Sequence, residues 1–596
     1  MKTSILQNPI LGIPFLIGLL LVCIATKAQN NTSYNANTVP INGDRCIAIG
    51  VGALAFNTIG QGNTAIGFQA LYSNSTGHMN VAIGYQALNS STTQDFNIAI
   101  GFQALYSNTT GSSNTAIGGL TLVNNTTGYG NTAIGNQNLV NNTTGSNNVS
   151  IGAVTLRNNT TGSNNTANGS GALYNNTTGS YNTANGSSAL SNNQTGYYNT
   201  ANGYESLRYN TTGEYNTANG SFALRENTIG SFNTANGSGA LSNNQTGSYN
   251  TANGYLALYL NGTGSYNTAN GYQSLYSNTT GFQNTAIGLE SLYSNTTGYN
   301  NTANGYRSLY SNTTGNFNTA NGYRSLYSNT TGEANTANGY QSLYSNTTGF
   351  QNTAIGLEPL FSNTTGNFNT ANGYRSLYSN TTGSLNTAIG QNSLYYNKTG
   401  GTNTAIGVES LYSNTTGSNN VSIGDSAGFN SLGSNNVYIG NQAGRSETGS
   451  NKMYISNAGS NALIYGDFAT HQVLLGVPDA TGYVFKGSRT LNVMGGILTD
   501  SVRVALSSEW ADYVFDDNYT LKPLNELEQF IIANKHLPNI PKAAEVKEKG
   551  INLAEINVKL LEKTEELTLY IIQQNKRLEE QQKQIDELRK MILNKK

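Results

Sequence analysis

The chain has 596 residues, a formal net charge of −1 and only 10% charged residues, so it lacks the basic field that a nucleic-acid partner requires. His78, His471 and His536 are its only histidines and stand far apart, and no Cys or His cluster has metal-ligand spacing. No active site, metal or cofactor is therefore expected, and the chain reads as a non-enzyme.

Taken in chain order, the first 28 residues read as an address rather than a fold. Lys2 gives a positive start, residues 10–25 form an apolar run broken by Gly12, Pro14 and Gly18, and Thr26-Lys27-Ala28 forms a small-residue cleavage site. This pattern predicts a signal peptide over 1–28 and a secreted or cell-surface protein. Val22 before Cys23 argues against a lipid anchor, and no later stretch is apolar and long enough to provide an integral membrane anchor. Loss of the leader leaves Cys46 as the one cysteine, so no intramolecular disulfide is expected. Residues 29–45 read as a linker.

From Cys46 the sequence repeats. NTAIG or a close variant begins at Cys46, Asn63 and Asn80 and then at every seventeenth residue to Asn420, which defines 23 coils without one insertion. Such spacing puts each unit in the same structural slot. One unit, Asn301 to Phe317, reads NTANGYRSLYSNTTGNF. Asn301–Asn304 and Arg307–Ser311 are predicted as extended pieces, separated by Gly305 and closed by Asn312-Thr313-Thr314-Gly315, whose residue types suit tight turns. Strand and turn alternating within seventeen residues specify one rung of a parallel β-solenoid spanning 46–460.

Alternation assigns the faces. Position 3 is Ala or Ser in all 23 coils, so that face admits only small groups. Positions 2 and 4 share the other face, with Val or Ile beside Ile in some coils and Thr beside Asn in eleven. Rung-to-rung hydrogen bonding of Asn predicts a buried structural ladder there, represented by Thr166, Asn168, Thr302 and Asn304. Tyr at positions 6 and 10 predicts aromatic columns, of which Tyr306, Tyr310, Tyr323, Tyr327, Tyr340 and Tyr344 are the candidate ligand contacts. Packing between rungs is the alternative role for these rings. The NxT sequons, such as those at Asn312 and Asn346, read first as turn chemistry and second as glycan acceptors.

Together these motifs resemble the left-handed β-roll heads of trimeric autotransporter adhesins, over Cys46 to about Ile455. The resemblance implies a homotrimer of parallel chains, with positions 2 and 4 facing its axis, that adheres to a host cell, glycan or matrix surface. The family's membrane barrel has no counterpart in this sequence. Regular Thr and Asn arrays also suggest a rival, an ice-binding solenoid.

After the coils, residues 461–550 read as a small α/β connector or chaperone-like module. SSEWADYVFDDNYTLKPLNELEQFI and NKHLPNIP within it are similar to a module of fibre-like surface proteins of Bacteroidota, which suggests a phage tail-fibre-like receptor binder as a second alternative. Ser507, Ser508, Glu509 and Lys522 faintly resemble the Ser-Lys arrangement of self-cleaving fibre chaperones, but order and spacing differ and no cleavage is expected. Residues 551–596 carry heptads with Leu553, Leu560, Leu567, Ile571, Leu578, Ile585, Leu588 and Ile592 on one seam, as a coiled-coil stalk requires. Asn557, Thr564, Gln574 and Gln581 interrupt it.

Overall fold

The structure is a computed structural model that describes residues 32–34, 45–459, 461–476, 485, 490–504 and 510–595. The predicted leader, Cys23, Ser507, Ser508 and Glu509 lie outside the described residues. Two compact units are present, residues 1–494 and 495–596.

The first unit is a parallel β-solenoid. Strands β2 (Ile47–Ile49) to β24 (Val421–Ile423) stand one per 17-residue coil, each paired in register with the next, as in Thr302↔Thr319, Ala303↔Ala320 and Asn304↔Asn321. The stack begins before Cys46, since β1 (Thr32–Tyr34), inside the expected linker, pairs parallel with β2. It continues through β25 (Val437–Ile439) and β26 (Lys452–Ser456). There β27 (Ala462–Asp467) pairs antiparallel with β26, followed by β28 (Gln472–Leu475), so the first strands after residue 461 continue the sheet. The direction reversal covers a parallel edge that would otherwise template another chain.

Only the first of the two expected extended pieces is a strand. Residues 307–311 instead turn, with Arg307 and Leu309 in the left-handed region at φ 52° and 50°. Alternate left-handed residues bend the coil around Leu309, while Leu309 N–H still donates to Ser325 O (3.0 Å) and Ser311 N–H to Tyr327 O (3.0 Å) in the next rung. Gly305 has φ 139°, and a Cβ there would stand 2.5 Å from Gly322 O, so this corner requires glycine.

The interior of a coil is narrow. Ala303, Ser308 and Leu309 are fully buried, together with Asn301 and Asn312. Both asparagines form ladders. Asn318 donates from its backbone N–H and Nδ2 to Asn301 Oδ1 (3.0 and 3.2 Å), and from Nδ2 to Gly332 O (2.8 Å). Asn312 Nδ2 donates to Asn295 Oδ1 (2.8 Å) and to Gly315 O of its own turn (3.0 Å). The ladders end where the sequence changes. Ser91 and Ser431 stand where the next asparagine would be, and Asn74 Oδ1 and Asn414 Oδ1 are left buried without a partner. Cys46 replaces the first asparagine of its column, and its Sγ donates to Gly60 O (3.3 Å).

The period falls to sixteen where the filling changes. Tyr438 and Tyr454 occupy the inward position held elsewhere by Ala or Ser, and Gly428 and Gly444 stand at the leucine position. A Cβ on Gly428 would lie 2.6 Å from the Tyr438 ring. Large and small have exchanged places, which conserves interior volume.

In the second unit, a 3-10 helix (Ala511–Phe515) and helices α1 (Leu524–Asn534) and α2 (Ala543–Lys549) precede a 41-residue helix α3 (Leu553–Leu593). Asn552 caps α3, its side chain accepting from Ala554 N and Glu555 N.

The ladders predict that Asn312→Ala, which leaves Asn295 Oδ1 without a donor, costs about 1–3 kcal/mol. Thr314→Ala, at an exposed position, stays within about 0.5 kcal/mol of the parent. Amide hydrogen exchange of the full chain checks this, with faster exchange confined to the rungs around residue 312.

Candidate functional site

No closed cleft dominates the described residues, so the candidate site is the outer surface of the coils, which the fixed register turns into columns. The position-10 column is the longest aromatic ladder. Tyr259, Tyr276, Tyr293, Tyr310, Tyr327, Tyr344, Phe361, Tyr378, Tyr395, Tyr412 and Phe429 stack without a break at centroid separations of 4.8–5.3 Å. Burial raises the phenol pKa of Tyr293 and Tyr310 above its ordinary value. The position-6 column is shorter, with Tyr306–Tyr323 at 5.2 Å and Tyr323–Tyr340 at 5.1 Å, near-parallel at 10° and 7°. All six tyrosines singled out by sequence thus lie on these two columns. Because each ring covers its neighbour's face, a ladder offers a ligand mainly ring edges and hydroxyls.

Between the two columns lies position 7. Arg307 lies over Tyr306 and Tyr310 at 5.1 and 5.4 Å, and its Nε pairs with Glu290 Oε2 at 2.5 Å. Arg375 repeats this over Tyr374 and Tyr378, paired with Glu358 at 2.7 Å. Hydrogen bonding to Glu290 and Glu358 raises the pKa of each guanidinium. Arg324 lies over Tyr306, Tyr323 and Tyr327 at 5.9, 5.2 and 5.6 Å.

Sequence reasoning missed a third aromatic ladder. Tyr181, Tyr198, Tyr215, Phe232, Tyr249 and Tyr266, each just before a buried Asn, stack at 4.8–5.0 Å and are exposed. The aromatic preceding NTANG in six successive coils was its signal.

The face formed by positions 2 and 4 points outward in the single chain, which corrects the expectation of burial. Thr166, Asn168, Thr302 and Asn304 are exposed, as are Ile134, Ile151, Ile287 and Ile355 at 38–41%. Asparagines on this face bond rung to rung from Asn185 through Asn270, each Nδ2 donating to the next Oδ1 at 2.6–2.8 Å, and again from Asn321 to Asn338. Asn168 and Asn304, at the head of these blocks, do not join the ladder among the described residues, which begins at Asn185 and at Asn321. Two sequons are also settled by packing. Asn312 and Asn346 are fully buried with Nδ2 donating twice, so neither nitrogen is open to a glycan.

In the second unit, Glu562 is the centre of a polar cluster. Tyr513 OH donates to it (2.8 Å), as do Asn539 Nδ2 (3.1 Å) and Lys563 Nζ (2.7 Å), while Lys563 also binds Glu566. Tyr519 OH donates to Glu566 and Tyr570 OH to Lys522 O. Burial pushes the Glu562 carboxyl up, but its three donors outweigh that and hold it below the ordinary value. Lys522 Nζ lies over the Phe530 ring at 5.5 Å. The heptad leucines and isoleucines are uncovered in the single chain, from Leu553 at 52% and Leu560 at 51% to Ile571 at 60% and Ile592 at 64%.

Tyr327→Ala removes two ring stacks and is expected to cost about 1–3 kcal/mol, whereas Tyr327→Phe keeps both and stays near neutral, as local hydrogen exchange would record. The second unit should also weaken in acid. Glu562 has a depressed folded pKa, so its contribution is complete above the ordinary value of 4.5 and is lost as pH falls below it. Fluorescence of Trp510, the only tryptophan, reports this unit. Its unfolding midpoint should drop below about pH 4.5 in the parent, and Glu562→Gln should be weaker at neutral pH with a flatter acid limb. Searches of family models, curated proteins and solved structures find no match to this chain.

Proposed function

We propose that the chain is a subunit of an extracellular homotrimeric fibre whose repetitive surface adheres to a host cell, glycan or matrix. The observation that carries this reading is uncovered apolar surface in two long, regular arrays. One is the run of position-4 isoleucines near the end of the solenoid, Ile389, Ile406, Ile423 and Ile439, and the other is the seam from Ile571 to Ile592 on a helix whose residues 571–593 are all exposed. Monomeric proteins seldom leave such continuous patches bare, and three parallel copies would cover both, the seam as a coiled-coil stalk. A C-terminal stalk that trimerises first would set the register of the coils and reduce the loop-closure cost of non-local pairing. The aromatic and polar columns would then remain outside, where many weak contacts add through avidity.

One observation favours a second reading. Thr and Asn at positions 2 and 4 form an uncharged, exposed, in-register array, as an ice-binding surface needs. Trimerisation through that face would hide it, so the two readings exclude each other.

Light scattering on the folded chain, with and without residues 551–596, decides between them. The trimer predicts three times the single-chain mass for the full chain. A monomer in both forms, combined with thermal hysteresis, would replace the adhesive fibre by the ice-binding solenoid.

A further inference from the structure

Resting on the adhesive reading, we propose that Arg324 and the tyrosines around it form a binding site for an oxyanion group, carboxylate or sulfate, of an acidic polysaccharide. The position-7 column runs Glu290, Arg307, Arg324, Gln341, Glu358, Arg375. Arg307 is neutralised by Glu290 one rung back and Arg375 by Glu358. Arg324 has neither. Four arginines of the coils have a buried Nε that makes no well-aligned hydrogen bond among the described residues, namely Arg157, Arg208, Arg225, whose Nε nonetheless lies 3.0 Å from Glu205 Oε2, and Arg324. Arg157 still donates to Tyr174 OH, and Arg208 and Arg225 pair with Glu205. Arg324 is the one of the four whose guanidinium has, among the described residues, no hydrogen-bonding or ionic partner, only the rings of Tyr306, Tyr323 and Tyr327.

A guanidinium held over aromatic rings and left partly exposed is a fixed fork with unused donors, which matches an oxyanion in two parallel hydrogen bonds. The surroundings favour a sugar polymer over an acidic peptide. Tyrosines of the two ladders flank the arginine with hydroxyls and ring edges repeated at 5.1–5.2 Å along the fibre. That interval is close to the advance of one residue in an extended pyranose chain, whose hydroxyls would meet a phenol at each rung. The parallel sheet of the coil interior offers no edge along this face for a peptide strand to extend.

The test measures binding of the full chain to immobilised polygalacturonate, dextran sulfate, neutral dextran and polyglutamate at low salt. Binding to polygalacturonate, dextran sulfate or both, but not to dextran or polyglutamate, is expected, and the two acidic arms tell carboxylate from sulfate. Arg324→Gln should lose roughly tenfold or more in affinity, whereas Arg307→Gln should change it little. Glu358→Gln frees Arg375 and should raise affinity, a gain that a structural role for these residues would not produce. Equal binding by Arg324→Gln, binding to polyglutamate as strong as to the acidic sugars, or no binding to either acidic sugar would overturn the site. Loss of the site with cell adhesion by the parent chain intact would leave the adhesive fibre standing. Failure of the parent to adhere to any surface would remove the broader reading as well.

Discussion

Two buried amide groups per coil set the terms for everything else in the solenoid. Asn301 and Asn312 sit where no water reaches, and each satisfies its side chain with the neighbouring rung and with a glycine carbonyl. An unpaired amide in such a place costs far more than a paired one returns, so the coils must stay in register. Where a residue is lost, the position-12 column ends while the position-1 column continues, with Asn436 N–H donating to Asn420 Oδ1 at 2.9 Å. The strict period thus serves hydrogen bonding as well as packing, and the place where it relaxes shows the two together. At Ser431 the turn loses a residue, the column ends at Asn414, and the released space is taken by Tyr438, whose hydroxyl meets Ser431 at 3.0 Å.

With the interior committed to asparagine, alanine and one leucine, variation is confined to the outside. The outer positions then act as independent columns, each with its own chemistry: isoleucine or asparagine at position 4, arginine and glutamate at position 7, tyrosine at positions 6 and 10. Stacking ties each ring to the rung above and below, so an aromatic column stiffens the solenoid and displays hydroxyls through the same contacts. Packing and ligand contact, which pull in different directions at a single tyrosine, are compatible along a ladder because they use different parts of the ring.

The second unit works by other means. Its polar cluster around Glu562 and Lys563 pins the 3-10 helix and the first third of α3 together, with Tyr513 and Asn539 satisfying the buried carboxylate. Beyond Tyr570 the helix has nothing of its own chain to lie against among the described residues. The change from cluster to bare helix falls where the sequence of α3 becomes most charged.

The sequence by itself determined the repeat length, the small-residue character of position 3 and the turn at Asn312 to Gly315, because a fixed period puts each of these in the same slot of every coil. It also located the tyrosine columns and the long terminal helix. What it did not reveal was direction. Whether Thr302 and Asn304 look into the coil or out of it, which asparagine of NTANG is buried, and that Arg307–Ser311 bends through left-handed residues all depend on which face closes around the leucine. A one-residue choice of facing inverts every side chain of a three-residue strand, and alternation alone is symmetric between the two choices. Only the closed coil, with Leu309 inside and Gly305 pressed against Gly322, broke that symmetry and left Arg324 among its tyrosines without an acid.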